Sequence, residues 1–182
     1  MENKQWIDKP EVKKGAIGER IVNEILSKKG YIVYRPISDG AHKIDFFAHK
    51  ENTEKKIICV EAKAKKRMAI YCETGFNYNA YLHYKEIQEK HNIDTYVYFI
   101  DDFEGCIYGN WLNDLGEGRK INGSTGGVIV WDLSKMIPFR KLKDDELLEL
   151  TQFTSENYDY SKTEIYFDDD CFDENGFYKR LR

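Results

Sequence analysis

Three charged residues stand in or at the end of two apolar stretches, where a buried strand rarely carries charge without a reason. Asp45 lies inside the stretch KIDFFAH, and Glu61 and Lys63 lie near the end of IICVEAKA. Because side chains two residues apart on a strand point to the same face, Glu61 and Lys63 should lie side by side. The polar segment ENTEKK could form a hairpin connection that brings Asp45 next to them.

Such a group of side chains has a definite chemical use. Two close carboxylates repel each other unless a cation lies between them. Mg²⁺, or alternatively Mn²⁺, would serve, since Mg²⁺ binds through one or two carboxylates together with water and phosphate oxygens. A neighbouring lysine could position or deprotonate an attacking water, or neutralise charge that develops on phosphorus. The pattern therefore predicts metal-assisted hydrolysis of a phosphodiester. The alternative is an ion pair at a strand end that contributes little to stability.

The elements that must position these residues follow from hydrophobic periodicity. Apolar residues at helical spacing predict helices over residues 11–29 and 78–92. Short apolar runs bounded by turn residues predict strands over 31–36, 43–49, 57–64, 95–100 and 128–133, with a short strand and a helical turn over 105–115. Residues 65–77 and 116–127 look like loops, and 155–180 show no clear period. This order predicts an α/β fold with a mixed central sheet flanked by helices.

Asp45 followed by Glu61-Ala62-Lys63 resembles the signature of the PD-(D/E)XK nuclease superfamily, in which an acid precedes a strand that carries (D/E)-x-K. Ile44 stands where the superfamily name has proline. The resemblance covers roughly residues 11–100 and is nearest in layout to Holliday-junction-resolvase-like nucleases. It implies a restriction-endonuclease-like fold and a Mg²⁺-dependent nuclease that acts on DNA. It also implies that Asp45, Glu61 and the Ala62 carbonyl hold the metal and that Lys63 assists catalysis.

The same resemblance suggests a further acid in the first helix. Glu19, in GAIGERIV, matches the position at which relatives often supply another catalytic and metal-binding carboxylate. Alternatively, Glu19 is an exposed helix residue that pairs with a nearby lysine.

Several residues are candidates for contact with nucleic acid. Basic side chains follow the E-x-K strand directly and also precede Glu19, and they could bind phosphates or form solvated surface: Lys65, Lys66, Arg67 and Lys14. On the second helix, Tyr84 and Gln88 share a face with Tyr81. The resemblance suggests that Tyr84 and Gln88 position water or DNA, although the tyrosines could instead pack on the sheet. His42, just before the Asp45 stretch, could touch the substrate.

Charge is distributed unevenly along the chain. The formal net charge is −4, but residues 1–143 hold 24 Lys and Arg against 20 Asp and Glu, whereas 144–182 hold 4 against 12. We therefore expect a mildly basic nuclease-like domain over 1–143 and an acidic, aromatic-rich C-terminal extension over 144–182, which either packs on that domain or trails from it. The extension could bind a protein partner or mask the basic face.

Sequence features that would indicate other classes of protein are missing. No apolar run approaches transmembrane length, and the first residues lack the apolar segment of a signal peptide, so we expect a cytoplasmic protein without a membrane partner. The four cysteines include no C-x-x-C pair, which argues against a zinc ribbon or a disulfide framework. Three functions stay open: a DNA nuclease, a structure-selective resolvase that acts as a homodimer, and a binding module that retains the fold without turnover.

Overall fold

A computed structural model of the chain describes residues 7–37, 44–51, 57–68, 71–123, 126–154 and 164–179. In chain order the strands are β1 (Ile32–Tyr34), β2 (Phe46–His49), β3 (Ile58–Ala64), β4 (Glu73–Asn77), β5 (Thr95–Asp101), β6 (Cys106–Trp111), β7 (Arg119–Ile121), β8 (Val128–Asp132) and β9 (Ile137–Lys141). The helices are α1 (Pro10–Lys28), α2 (Tyr78–His91), α3 (Leu112–Leu115) and α4 (Asp144–Thr151).

The central sheet has six strands in the order β1-β2-β3-β5-β6-β9. β3 and β5 are parallel, and the other neighbouring pairs are antiparallel. β3 is buried from Ile58 to Ala62, as expected for a strand that is covered on both faces. A smaller antiparallel sheet, β4-β8-β7, packs beside the central one.

Each face of the central sheet has its own hydrophobic core. On one face, apolar residues of α1 and α4 pack against alternate residues of β2, β3 and β5, among them Ile21, Leu150 and Val60. On the other face, Tyr84 and Ile87 of α2 pack together with residues of β4 and β8. The prediction of an α/β fold with a mixed central sheet flanked by helices is therefore confirmed.

Helix α1 approaches the end of β3 very closely. A Cβ atom added to Gly18 would lie 2.6 Å from the Cβ of Ala64, so only glycine fits there without displacement of one element. The helix that carries Glu19 is thus fixed against the strand that carries Glu61 and Lys63.

Two strands lie where the sequence predicted loops. β4 falls within 65–77, and β7 falls within 116–127. The sequence did not predict β4 as a strand because it contains Gly75, and glycine is unfavourable in a strand interior. Here it is required, since its Cβ would lie 1.8 Å from the carbonyl oxygen of Ile129 on the neighbouring strand.

The described part of the C-terminal region packs on the rest of the chain. Phe167 and Phe172 are 7% and 3% exposed and belong to the same core as α2. The backbone N–H of Tyr178 donates to the carbonyl of Phe139 in β9. In the ranges that the structure covers, none of the helices has the length and apolar character needed to cross a bilayer.

Candidate active site

The site forms where β3 runs past the start of β2. The register pairs Phe46 with Val60, so β2 offers no partner to Ala62. Instead, the N–H of Ala62 donates to Asp45 Oδ2 at 2.8 Å. Because the N–H and C=O of one strand residue point to the same side, the Ala62 carbonyl also faces the Asp45 side of β3.

The three residues of the predicted signature come together at this strand end. Lys63 Nζ forms an ion pair with Glu61 Oε1 and lies 3.9 Å from Asp45 Oδ2. Glu61 is 3% exposed, whereas the side chains of Lys63 and Asp45 are 31% and 12% exposed. The carboxylate of Glu61 is therefore buried, unlike that of a fully solvated surface ion pair.

Helix α2 supplies a further contact to the same group. The Tyr84 hydroxyl donates a hydrogen bond to Glu61 Oε2, and the backbone of Asp45 interacts with the same hydroxyl. Tyr84 is fully buried, so it holds Glu61 and is not accessible to DNA. The sequence indicated only that Tyr84 lies on the same face of the helix as Ile87, which is buried.

The electrostatics of the site are unusual for a carboxylate. The pKa of Glu61 is raised to about 7, because burial, together with the charge of Asp45, outweighs the opposing effects of Lys63 and Tyr84. Burial alone would lower the pKa of Lys63, but the charges of Glu61 and Asp45 outweigh it and the net pKa is raised. Lys63 is therefore an ammonium ion that offsets the two carboxylates.

The donor atoms present fit a hard divalent cation. Asp45, Glu61 and the Ala62 carbonyl offer oxygen ligands only, and Mg²⁺ needs no more than one or two protein carboxylates. Within the described ranges, His, Cys, Asp and Glu side chains form no group of three or more that could hold a metal. Glu19 pairs with Arg35 at 3.1 Å, although its charge also raises the pKa of Lys63. Glu19 therefore lies near the site, and its metal-binding role stays a prediction.

Like Tyr84, the predicted DNA contacts Arg67 and Lys14 are buried in this conformation. Arg67 is 1% exposed and its guanidinium lies 2.5 Å from Glu104 Oε1. Lys14 is 8% exposed and pairs with Asp102 at 2.8 Å. Both side chains form ion pairs inside the protein, so they cannot reach a phosphate.

The remaining candidates lie nearer the surface. Lys65 and Lys66 are half-buried. Burial and the charge of Lys63 lower the pKa of Lys65, which places Lys65 beside the site. Gln88 donates to Asp94 at 3.0 Å. His42 lies outside the residues that the structure describes.

Comparison with known proteins finds similarity to solved structures. No protein-family profile matches the sequence, and no curated protein matches it. The chain is similar to a solved structure of Hjc, a Holliday junction resolvase from the archaeal hyperthermophile Archaeoglobus fulgidus, with 15% sequence identity and a TM-score of 0.46. The match covers 66% of this chain and 90% of the resolvase chain.

Proposed function

We propose that the protein is a divalent-metal-dependent nuclease of the PD-(D/E)XK type that hydrolyses DNA phosphodiester bonds. The observation that carries this proposal is the meeting of Asp45, Glu61 and Lys63 at one strand end, with Glu61 buried. Asp45 is distant in the chain from Glu61 and Lys63. A purely structural ion pair would require only one carboxylate and one ammonium group, whereas two carboxylates meet one lysine here. A buried, cation-compensated carboxylate is a common feature of catalytic sites.

Each residue has a role in the proposed reaction. Asp45, Glu61 and the Ala62 carbonyl would hold Mg²⁺ or Mn²⁺, and the bound ion would polarise a phosphoryl oxygen and lower the pKa of a water. Lys63, which is an ammonium ion, stabilises the negative charge that develops on phosphorus or orients the attacking water. Tyr84 keeps Glu61 in place.

A cleavage assay tests the proposal directly. Plasmid, linear, single-stranded and four-way-junction DNA are incubated with the protein in Mg²⁺, Mn²⁺ or EDTA. We expect cleavage that depends on the metal and that Asp45→Ala and Lys63→Ala both abolish. Lys90→Ala is the matched control, because Lys90 is an exposed lysine that pairs with Glu86 on the same helix.

The DNA form that is cleaved separates the alternatives. Selective, symmetrical cutting of the junction by a homodimer would favour a resolvase, whereas cutting of plain duplex would favour a general nuclease. DNA binding by the folded wild-type protein without cleavage of any form would contradict the nuclease proposal and favour a binding module.

A further inference from the structure

A buried ion pair stands four residues beyond the catalytic lysine. The side chains of Arg67 and Glu104 are both 0% exposed. The Arg67 guanidinium carbon lies 5.3 Å from the centroid of the Phe103 ring. Nε and Nη2 of Arg67 have no hydrogen-bond partner in the part of the chain that the structure describes. Such a pair is a weak source of stability, because desolvation of the two charges opposes their attraction.

The backbone of Arg67 is fixed as well. Its N–H donates to Asp101 Oδ2 at 3.2 Å. Asp101 Oδ1 accepts from the N–H groups of Phe103 at 2.9 Å and Glu104 at 3.3 Å. The Tyr108 hydroxyl donates to Asp101 Oδ2 at 2.8 Å. Side chain and backbone of Arg67 are therefore both tied to the β5–β6 turn.

The C-terminal segment completes this arrangement. Glu104 Oε1 accepts from the N–H of Tyr166 at 2.9 Å, and Oε2 accepts from the N–H of Phe167 at 3.3 Å. The Phe167 ring lies 5.2 Å from the Tyr108 ring, centroid to centroid. Glu104 thus joins residues 166–167 to the chain that leaves β3.

The segment between Lys63 and Arg67 carries Lys65 and Lys66, the two half-buried candidates for phosphate contact. Lys65 N–H donates to the Ile100 carbonyl at 3.0 Å, so the chain stays extended beyond the end of β3. Lys63 and Lys65 therefore lie on the same face, and Lys66 follows. An extended segment of this length, fixed at Arg67, has little freedom to move its lysines away from the site.

We propose that Arg67 and Glu104 are positioning residues. Together with residues 166–167 they hold the segment 65–68 so that the ammonium groups of Lys65 and Lys66 contact the DNA backbone beside the scissile bond. This inference rests on the proposed nuclease function. It gives the C-terminal region a supporting role, whereas masking of the basic face would give it an inhibitory one.

The test measures DNA affinity of the full chain against salt concentration, in EDTA, with a short duplex as the probe. Each lost phosphate contact reduces the slope of log K against log salt by roughly 0.9. We expect Lys65→Ala/Lys66→Ala to reduce the slope by about two such contacts. We expect Arg67→Met to give a similar reduction, and the triple variant to add little to it. A residue with a merely structural role would leave the slope unchanged in folded protein.

Conservative variants keep the test decisive. Glu104→Gln retains an oxygen for the Tyr166 N–H, so it replaces Arg67→Met if the latter does not fold. Arg67→Lys should restore part of the slope, because a lysine can still pair with Glu104. Folded Arg67→Met or Glu104→Gln protein with the wild-type slope would overturn the inference.

The outcome also separates this inference from the proposed function. A wild-type protein that cleaves DNA, with a slope that Lys65→Ala/Lys66→Ala does not change, would leave the nuclease standing and overturn the positioning role. A wild-type protein that neither binds nor cleaves DNA would overturn both.

Discussion

At the scale of single residues, the carboxyl group of Glu61 costs stability when it is ionised. Its pKa in the folded protein is about 7, against an ordinary value of 4.5. The folded state therefore binds this proton more tightly than the unfolded state does. The stabilisation that comes from protonated Glu61 is fully present below about pH 4.5 and is lost as the pH rises to about 7.

The variant Glu61→Gln should remove this dependence on pH. In EDTA, we expect the free energy of unfolding of the wild type to fall relative to Glu61→Gln between these two pH values, by about 3 kcal/mol at most. Urea unfolding of both proteins at a series of pH values measures the difference. A difference that stays constant with pH would show that Glu61 has an ordinary pKa.

The Tyr84 hydroxyl should matter for activity as well as for packing. Its hydrogen bond lowers the pKa of Glu61, so Tyr84→Phe should raise that pKa and move the acidic limb of the cleavage profile to higher pH. We expect about tenfold slower cleavage at neutral pH, consistent with the loss of a hydrogen bond to a charged group. Tyr81→Phe is the control, because Tyr81 is only partly buried and stacks on Tyr78. An unchanged pH profile in Tyr84→Phe would contradict the role.

The sequence was informative about side chains whose spacing on a strand is regular. Asp45, Glu61 and Lys63 could be predicted as a group because alternation and a hairpin connection bring them together. The roles of Tyr84 and Arg67 could not, because a polar residue that is buried and one that faces solvent have the same appearance in a single sequence. Both depend on contacts with residues that are distant in the chain.

At the scale of elements, the contact between α1 and β3 sets the position of the site. We expect Gly18→Ala to destabilise the protein by roughly 1–3 kcal/mol, because the added Cβ would press on Ala64. The displaced end of β3 should also lower cleavage by the folded fraction. Thermal unfolding and a cleavage assay measure the two effects.

Gly15→Ala provides the matched control on the same helix. An added Cβ at Gly15 meets no atom within 4 Å. The substitution should therefore stabilise the protein by about 0.5–1 kcal/mol through helix propensity alone. Equal effects at Gly15 and Gly18 would show that the close approach of α1 to β3 has no energetic importance.

Helices and strands with regularly spaced apolar residues could be predicted from the sequence. Strands that form only by pairing with another strand could not. α1, α2, β3 and β5 were found within one or two residues of their bounds. β4 and β7 belong to the small sheet and were missed, because their sequences are polar or contain glycine and become strands only through pairing with β8.

At the scale of the whole molecule, the acidic C-terminal region contributes apolar contacts to the core. Phe167→Ala should cost about 3–5 kcal/mol of stability, because the ring is 7% exposed and packs on Tyr108. Tyr166→Ala is the control, since Tyr166 is 40% exposed and keeps its backbone N–H. Urea unfolding compares the two, and equal small effects would show that the segment is not part of the core. The composition indicated a charge asymmetry but not this packing.

The small sheet has a consequence for the order in which a newly synthesised chain can acquire its site. Phe76 of β4 lies between Tyr84 and Trp131, with ring centroids 6.4 Å and 5.7 Å away. Trp131 belongs to β8, which leaves the ribosome long after Asp45, Glu61 and Lys63. A nascent chain that ends before β8 therefore lacks the support for α2 and its contact with Glu61. We expect such chains to be readily digested by protease and inactive on DNA, so a growing polypeptide would gain the proposed cutting activity only after β8 has emerged.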